Sequence, residues 1–130
     1  MEMTVNIRLE LFVKDLQRSV DFYKNVIRLD LSSQNESSAM FKTENLNLLL
    51  TKEDVISSNH YFSEIKTSRK GMGVEIILVV PDVQSYYQRI CEMQIEVESE
   101  LKQQEWGMTD FRLIDPDGYY LRITSPKMEN

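Results

Sequence analysis

One pattern occurs twice at a fixed spacing, and it constrains the fold more than any other feature of the chain. Ile7, Leu9, Leu11 and Val13 alternate with Arg8, Glu10, Phe12 and Lys14, the period-two signature of a strand with one apolar face. Asp15 breaks the alternation and can accept backbone N–H groups as a helix N-cap. Leu16, Val20, Tyr23 and Ile27 follow at helical spacing, which predicts an amphipathic helix of about three turns. The second occurrence begins at Val74. Val74, Ile76, Leu78 and Val80 alternate with Glu75, Ile77 and Val79; Pro81 and Asp82 stop the strand; Val83, Tyr86, Tyr87, Ile90 and Cys91 repeat the helical pattern. Asp82 lies 67 residues after Asp15, and the same shift carries Arg8 onto Glu75 and Gln17 onto Gln84. A period this long marks a duplicated half-domain and not a solenoid unit.

Short strand candidates follow each helix, at about 27–34, 38–43 and 46–51 in the first half and about 95–101, 109–114 and 119–125 in the second. Glu44-Asn45 separates two of them, and Asp115-Pro116-Asp117-Gly118 supplies strong turn chemistry between two others. The expected class is α+β: one domain over 1–130, with β-α-β-β-β modules at 5–51 and 74–126 and a linker at 52–73. The linker is rich in Ser, Lys and Glu, holds the only histidine, His60, and ends in Gly71-Met72-Gly73; one helical turn is expected around Tyr61–Ile65. One helix covers one face of each four-stranded sheet, so the other face is filled by the second half or a second chain, or stays open as a groove. Two such modules side by side predict a curved mixed sheet around a cleft, a setting in which small-molecule sites form.

Composition narrows the partners. With 42% hydrophobic residues the chain is globular and not disordered. A single cysteine, Cys91, rules out an intrachain disulfide and a thiolate metal site, and it reads as a small buried hydrophobe on the second helix. A net charge of -6 with no basic run argues against nucleic acid. No apolar stretch is long enough to span a bilayer as a helix, and the first residues read as a strand and not a signal peptide, so the expected location is the cytoplasm.

Val13-Lys14-Asp15-Leu16-Gln17-Arg18-Ser19-Val20-Asp21-Phe22-Tyr23, together with Trp106-Gly107-Met108, Phe111 and the Asp115-Pro116-Asp117-Gly118 turn, resembles the opening and closing signatures of the glyoxalase/bleomycin-resistance/extradiol-dioxygenase (vicinal oxygen chelate) superfamily. The Trp-Gly-Met form is similar to the bleomycin-resistance-like branch. The likeness spans about residues 6–125. Read for packing alone, Phe22 and Tyr23 belong to the helix core, and the Asp-Pro-Asp-Gly run is a turn without chemistry.

In metal-dependent members, His and Glu from four strands hold Fe, Mn, Ni or Zn on the cleft face. The resemblance carries those positions onto Arg8, a residue at or within one or two of Asn47, Glu75 and Arg122. Arginine stays protonated and has no lone pair to give a metal, and His60 matches none of the four positions. The resemblance therefore implies no metal and no cofactor. It implies instead a small-molecule binding protein, with antibiotics among its ligand classes, that works by sequestration. Such members are homodimers, often with exchanged strands and with the clefts at the subunit interface. The expected ligand-binding residues are Arg8, Asn47, Glu75 and Arg122, with Phe12, Ile77, Val79, Trp106, Phe111 and Tyr120 as apolar and aromatic walls.

Two roles fit Arg8, Glu75 and Arg122 facing one cleft. They form a self-neutralising cluster, in which loss of one member costs roughly 3–5 kcal/mol, or the arginines clamp an anionic group of a ligand. The acidic net charge favours cationic ligands and the arginines favour anionic ones. The alternatives are a lyase, isomerase or dioxygenase of the same superfamily with an atypical site, including a metal-free one with Glu75 as general base, and an interaction module whose cleft is filled by its own side chains. Neighbouring cations weaken a carboxylate as a proton acceptor, which counts against the base.

Overall fold

A computed structural model describes residues 4–64 and 70–126. The chain divides into two compact units, Met1–Ser68 and Arg69–Asn130.

In the first unit, β1 (Arg8–Val13) leads into α1 (Leu16–Asp21), which runs on as a π-helical turn over Phe22–Val26. The strands β2 (Asp30–Gln34), β3 (Ser38–Lys42) and β4 (Asn47–Lys52) follow. The sheet order is β1-β4-β3-β2, with β1 parallel to β4 and the other pairs antiparallel. Asp15 caps the helix, its carboxylate accepting from the Arg18 N–H at 3.1 Å. Leu11, Val13, Ala39, Phe41, Leu48 and Leu50 form the buried side of the sheet, and Leu16, Val20 and Tyr23 of the helical segment are buried with them. α1 packs on β4 and β3.

The second unit repeats this plan. β5 (Glu75–Val79), α2 (Val83–Glu92), β6 (Ser99–Gln103), β7 (Thr109–Ile114) and β8 (Tyr120–Thr124) form a sheet of order β5-β8-β7-β6, again with the first and last strands parallel. Asp82 caps α2 through the Ser85 N–H at 3.0 Å. Phe111, Leu113, Leu121 and Ile123 are fully buried, with Val83 and Ile90 of α2 also buried. The duplication extends to the irregularities. One extra residue bulges from the outermost pair of each sheet, between Leu31 and Ser33 in β2 and between Ser99 and Lys102 in β6. A bulge of this kind adds local twist at the edge.

Several expectations change. The first helical segment keeps Ile27, whose N–H bonds to the Phe22 carbonyl at 3.1 Å, and Arg28 then turns left-handed at φ 68°, so β2 starts at Asp30. Gln94 turns the same way after α2, at φ 61°, and β6 starts at Ser99 and not near 95. Cys91 is exposed on α2 and not a buried hydrophobe. The expected linker begins as structure: Lys52 ends β4, Glu53–Val55 forms a buried-edged 3-10 turn, and His60 and Phe62 pack on Phe12 with ring centroids 5.6 and 5.8 Å from it. Residues 61–64 form turns and not a helix, and Ile65 lies outside the described residues. Among the described residues no helix is long and apolar enough to cross a membrane.

Candidate functional site

Side chains alternate across a sheet, so each unit has a face covered by its own helix and a face that this helix leaves uncovered, termed the open face. On the open face of the first unit, Arg8 stands opposite Asn47, Glu10 opposite Leu49 and Phe12 opposite Thr51. Lys42, Met40 and Ser38 extend these three rungs onto β3. Arg8 and Glu10 are exposed, whereas Phe12 is buried beneath His60 and Phe62. The Thr51 hydroxyl donates to Glu10 Oε2 at 2.6 Å. Glu10, Leu49 and Thr51, with Asn35 to Ser38 and Val55, line a depression of about 660 Å³.

The open face of the second unit carries Glu75 opposite Tyr120, Ile77 opposite Arg122 and Val79 opposite Thr124. On β7 the same rungs continue as Ile114, Arg112 and Asp110. Glu75 Oε1 lies 3.1 Å from Arg122 Nε. The Tyr120 hydroxyl donates to Glu98 Oε2 at 2.6 Å. Burial first, and then the Glu98 carboxylate, push the Tyr120 phenol above its usual range. Lys70 to Glu75, Ile114, Gly118 and Tyr120 surround a depression of about 330 Å³ at the Glu75 end of this face. Its rim is fixed by Lys70, whose ammonium meets the Asp117 carboxylate at 3.1 Å with both side chains nearly fully buried. Gly71 is there at φ 79° because a Cβ would stand 2.9 Å from the Tyr119 Cα.

The unusual chemistry of this face is its unmet hydrogen bonding. Among the described residues, the buried side-chain polar atoms without a hydrogen-bond partner are Asp110 Oδ2, Arg112 Nε and Arg122 Nε. All three belong to neighbouring rungs of one face. Arg122 Nε is close to Glu75 in charge contact, but its N–H is not aimed for a hydrogen bond. Arg112 and Arg122 are directly paired across β7 and β8, and like charges so placed destabilise a sheet.

The sequence-expected residues lie on both units. Glu75, Ile77, Tyr120 and Arg122 share the open face of the second unit, and Arg8, Phe12 and Asn47 share that of the first. Phe111 does not belong with them. It sits on the opposite, helix-covered side, fully buried and edge-on to Tyr87 at 5.1 Å. Trp106 stands 57% exposed in the turn between β6 and β7. Register also refines one position: the rung of Arg122 corresponds in the first unit to Leu49, while Asn47 corresponds to Tyr120. Arg112 was missed, although the alternation of Phe111 and Leu113 with Asp110 and Arg112 could have placed it. Neither a guanidinium nor a leucine can ligate a metal, so the donor set at these positions does not fit one. Among the described residues no three His, Cys, Asp or Glu side chains are grouped to hold a metal.

Solved structures share the fold. A glyoxalase/bleomycin resistance protein/dioxygenase from Nocardioides is 20% identical with a TM-score of 0.78, over 100% of this chain and 91% of that one. A lactoylglutathione lyase from Agrobacterium tumefaciens is 20% identical with a TM-score of 0.75, over 97% and 96%. TioX from Micromonospora sp. ML1 is 19% identical with a TM-score of 0.72, over 94% and 98%. No curated protein matches the chain. The family model for the Glyoxalase/Bleomycin resistance protein/Dioxygenase superfamily matches residues 7–123. With its duplicated β-α-β-β-β units, this chain belongs to that superfamily.

Proposed function

We propose that this protein binds a small molecule without a metal, on the open face of its second sheet, and acts by holding the ligand and not by transforming it. The observation that carries this reading is Arg122. Its guanidinium, engaged with Glu75 at 3.1 Å, stands at a position that the family resemblance assigns to a metal ligand, and it has no lone pair to give. Leu49, on the corresponding rung of the first unit, is equally unable to coordinate. Exposed Ile77 and Val79 beside half-buried Tyr120 supply the apolar flank that such sites use. An antibiotic is one ligand class within this reading. The protein works as a homodimer on this view, with the ligand face at the subunit interface, because β5 is an edge strand carrying Ile77 and Val79 exposed, a surface that a partner and a ligand would cover together. A lyase, isomerase or dioxygenase role is weaker, since Glu75, its candidate base, is engaged by a cation.

The test is elemental analysis of the purified protein combined with a thermal-shift screen of small molecules and of Zn, Ni, Mn and Fe ions. The expected result is no stoichiometric metal and a saturable shift with an organic ligand. Retained stoichiometric metal, with turnover of a hemithioacetal or a catechol, would refute the reading. Sedimentation analysis tests the dimer.

A further inference from the structure

We propose that Arg112 and Arg122 together receive an oxyanion, the carboxylate of a ligand with an apolar body; this specifies, and rests on, the small-molecule reading. Arg112 is the new element, since no position of the metal-dependent pattern falls on it. It stands directly across from Arg122, and both Nε atoms are buried without a hydrogen-bond partner among the described residues. Two cations held side by side with unmet donors are unfavourable alone and favourable once an anion accepts from both. A carboxylate suits them because each planar guanidinium can present parallel N–H groups to its two oxygens.

The carboxylates already on the face do not fill this role. Glu75 meets Arg122 Nε at 3.1 Å, off the hydrogen-bond direction. Glu98 is engaged by the Tyr120 hydroxyl. Asp110 lies one same-face rung from Arg112, about 7 Å along the strand, and its Oδ1 accepts from Gln104 Nε2 at 2.7 Å. Its Oδ2 has no hydrogen-bond partner among the described residues. The apolar body is indicated by Ile77 on the same rung as the arginine pair and by exposed Val79 one rung on. The first unit offers no such pair, because its equivalent rung reads Glu10, Leu49 and Met40.

The experiment titrates the intact protein with benzoate, benzamidine and benzyl alcohol, which share a ring and differ in charge, followed by thermal shift and calorimetry. Benzoate should bind saturably and benzamidine should not. Arg112→Met should weaken benzoate binding about tenfold or more, the loss typical of a charged hydrogen bond. Arg112→Lys, which keeps charge but loses the fork, should fall between. Arg122→Met strands Glu75, so the double variant Glu75→Gln/Arg122→Met keeps the comparison readable if the single variant fails to fold. The proposal is overturned if benzamidine matches benzoate, if Arg112→Met binds benzoate like the wild type, or if benzoate gives no saturable effect. Equal binding of benzyl alcohol and benzoate overturns the oxyanion assignment while leaving small-molecule binding intact.

Discussion

The two units share a scaffold and differ on the surface it presents. Read across the middle rung of the open face, the first unit has Glu10, Leu49, Met40 and Ser33, and the second has Ile77, Arg122, Arg112 and Ser99. On the other side of the same strands both are uniformly apolar, with Leu48 and Leu50 matched by Leu121 and Ile123. Packing against a helix tolerates few substitutions, so that side has kept its character since duplication. The other side is free of that constraint, and it carries an acid and apolar residues in one unit and an apolar residue with paired cations in the other. Chemistry specific to this chain is therefore expected where the units disagree.

Substitutions in the two units test that contrast. The largest effects should come from groups that only the second unit buries. Asp117→Asn or Lys70→Met breaks an ion pair that is nearly fully buried and should cost about 3–5 kcal/mol in urea unfolding. The matching turn of the first unit closes through Thr43, whose hydroxyl accepts from the Leu46 N–H at 3.0 Å; Thr43→Val should cost only about 1 kcal/mol. Phe111→Ala should cost about 3–5 kcal/mol as a core truncation. Trp106→Ala, at an exposed turn, should stay within about 0.5 kcal/mol by the same measurement. An equal effect of the two would return Phe111 to the ligand-facing side.

Gly71→Ala adds a Cβ 2.9 Å from the Tyr119 Cα at a left-handed backbone position. It should destabilise by about 1–2 kcal/mol, measured as a lower urea midpoint. The helix caps differ in their response to pH. The Ser85 hydroxyl, then its backbone N–H, hold the Asp82 carboxyl below its ordinary value of 3.8. The resulting stabilisation is present above that value and is lost as pH falls through the lower, folded-state value. Asp82→Asn should flatten the acid limb of the stability curve. In the first unit Arg18 stands where Ser85 does, so the cap there has no hydroxyl to lend.

Much of the fold was legible because its signals are local. Alternation, a capping aspartate and helical spacing recur after 67 residues, and turn chemistry at Asp115 to Gly118 separates strands as expected. The strand starts that slipped, near 27 and near 95, have alternating apolar residues that a helix exit uses instead: Ile27 and Leu29, Ile95 and Val97. The left-handed residues that end the helices, Arg28 and Gln94, are not glycines, so nothing local marked them. The candidate site was legible only in part. Arg122 follows from its distance to a turn, but register between β1 and β4 is set by tertiary pairing, which put Leu49 and not Asn47 on the Arg122 rung. Phe111 was assigned by residue type when strand parity should have decided. Arg112 matches no metal position, and its partner Arg122 lies ten residues on, on the neighbouring strand β8.

The urea midpoint of Arg112→Met measures the central claim most directly, because it puts into the second unit the residue that the first unit uses as Met40. If the guanidinium pair exists for a ligand, removing one cation relieves like-charge repulsion and the free protein becomes more stable, by up to about 1 kcal/mol. A lowered midpoint, equivalent to a stability loss of about 1 kcal/mol or more, would make Arg112 a structural residue and contradict the account.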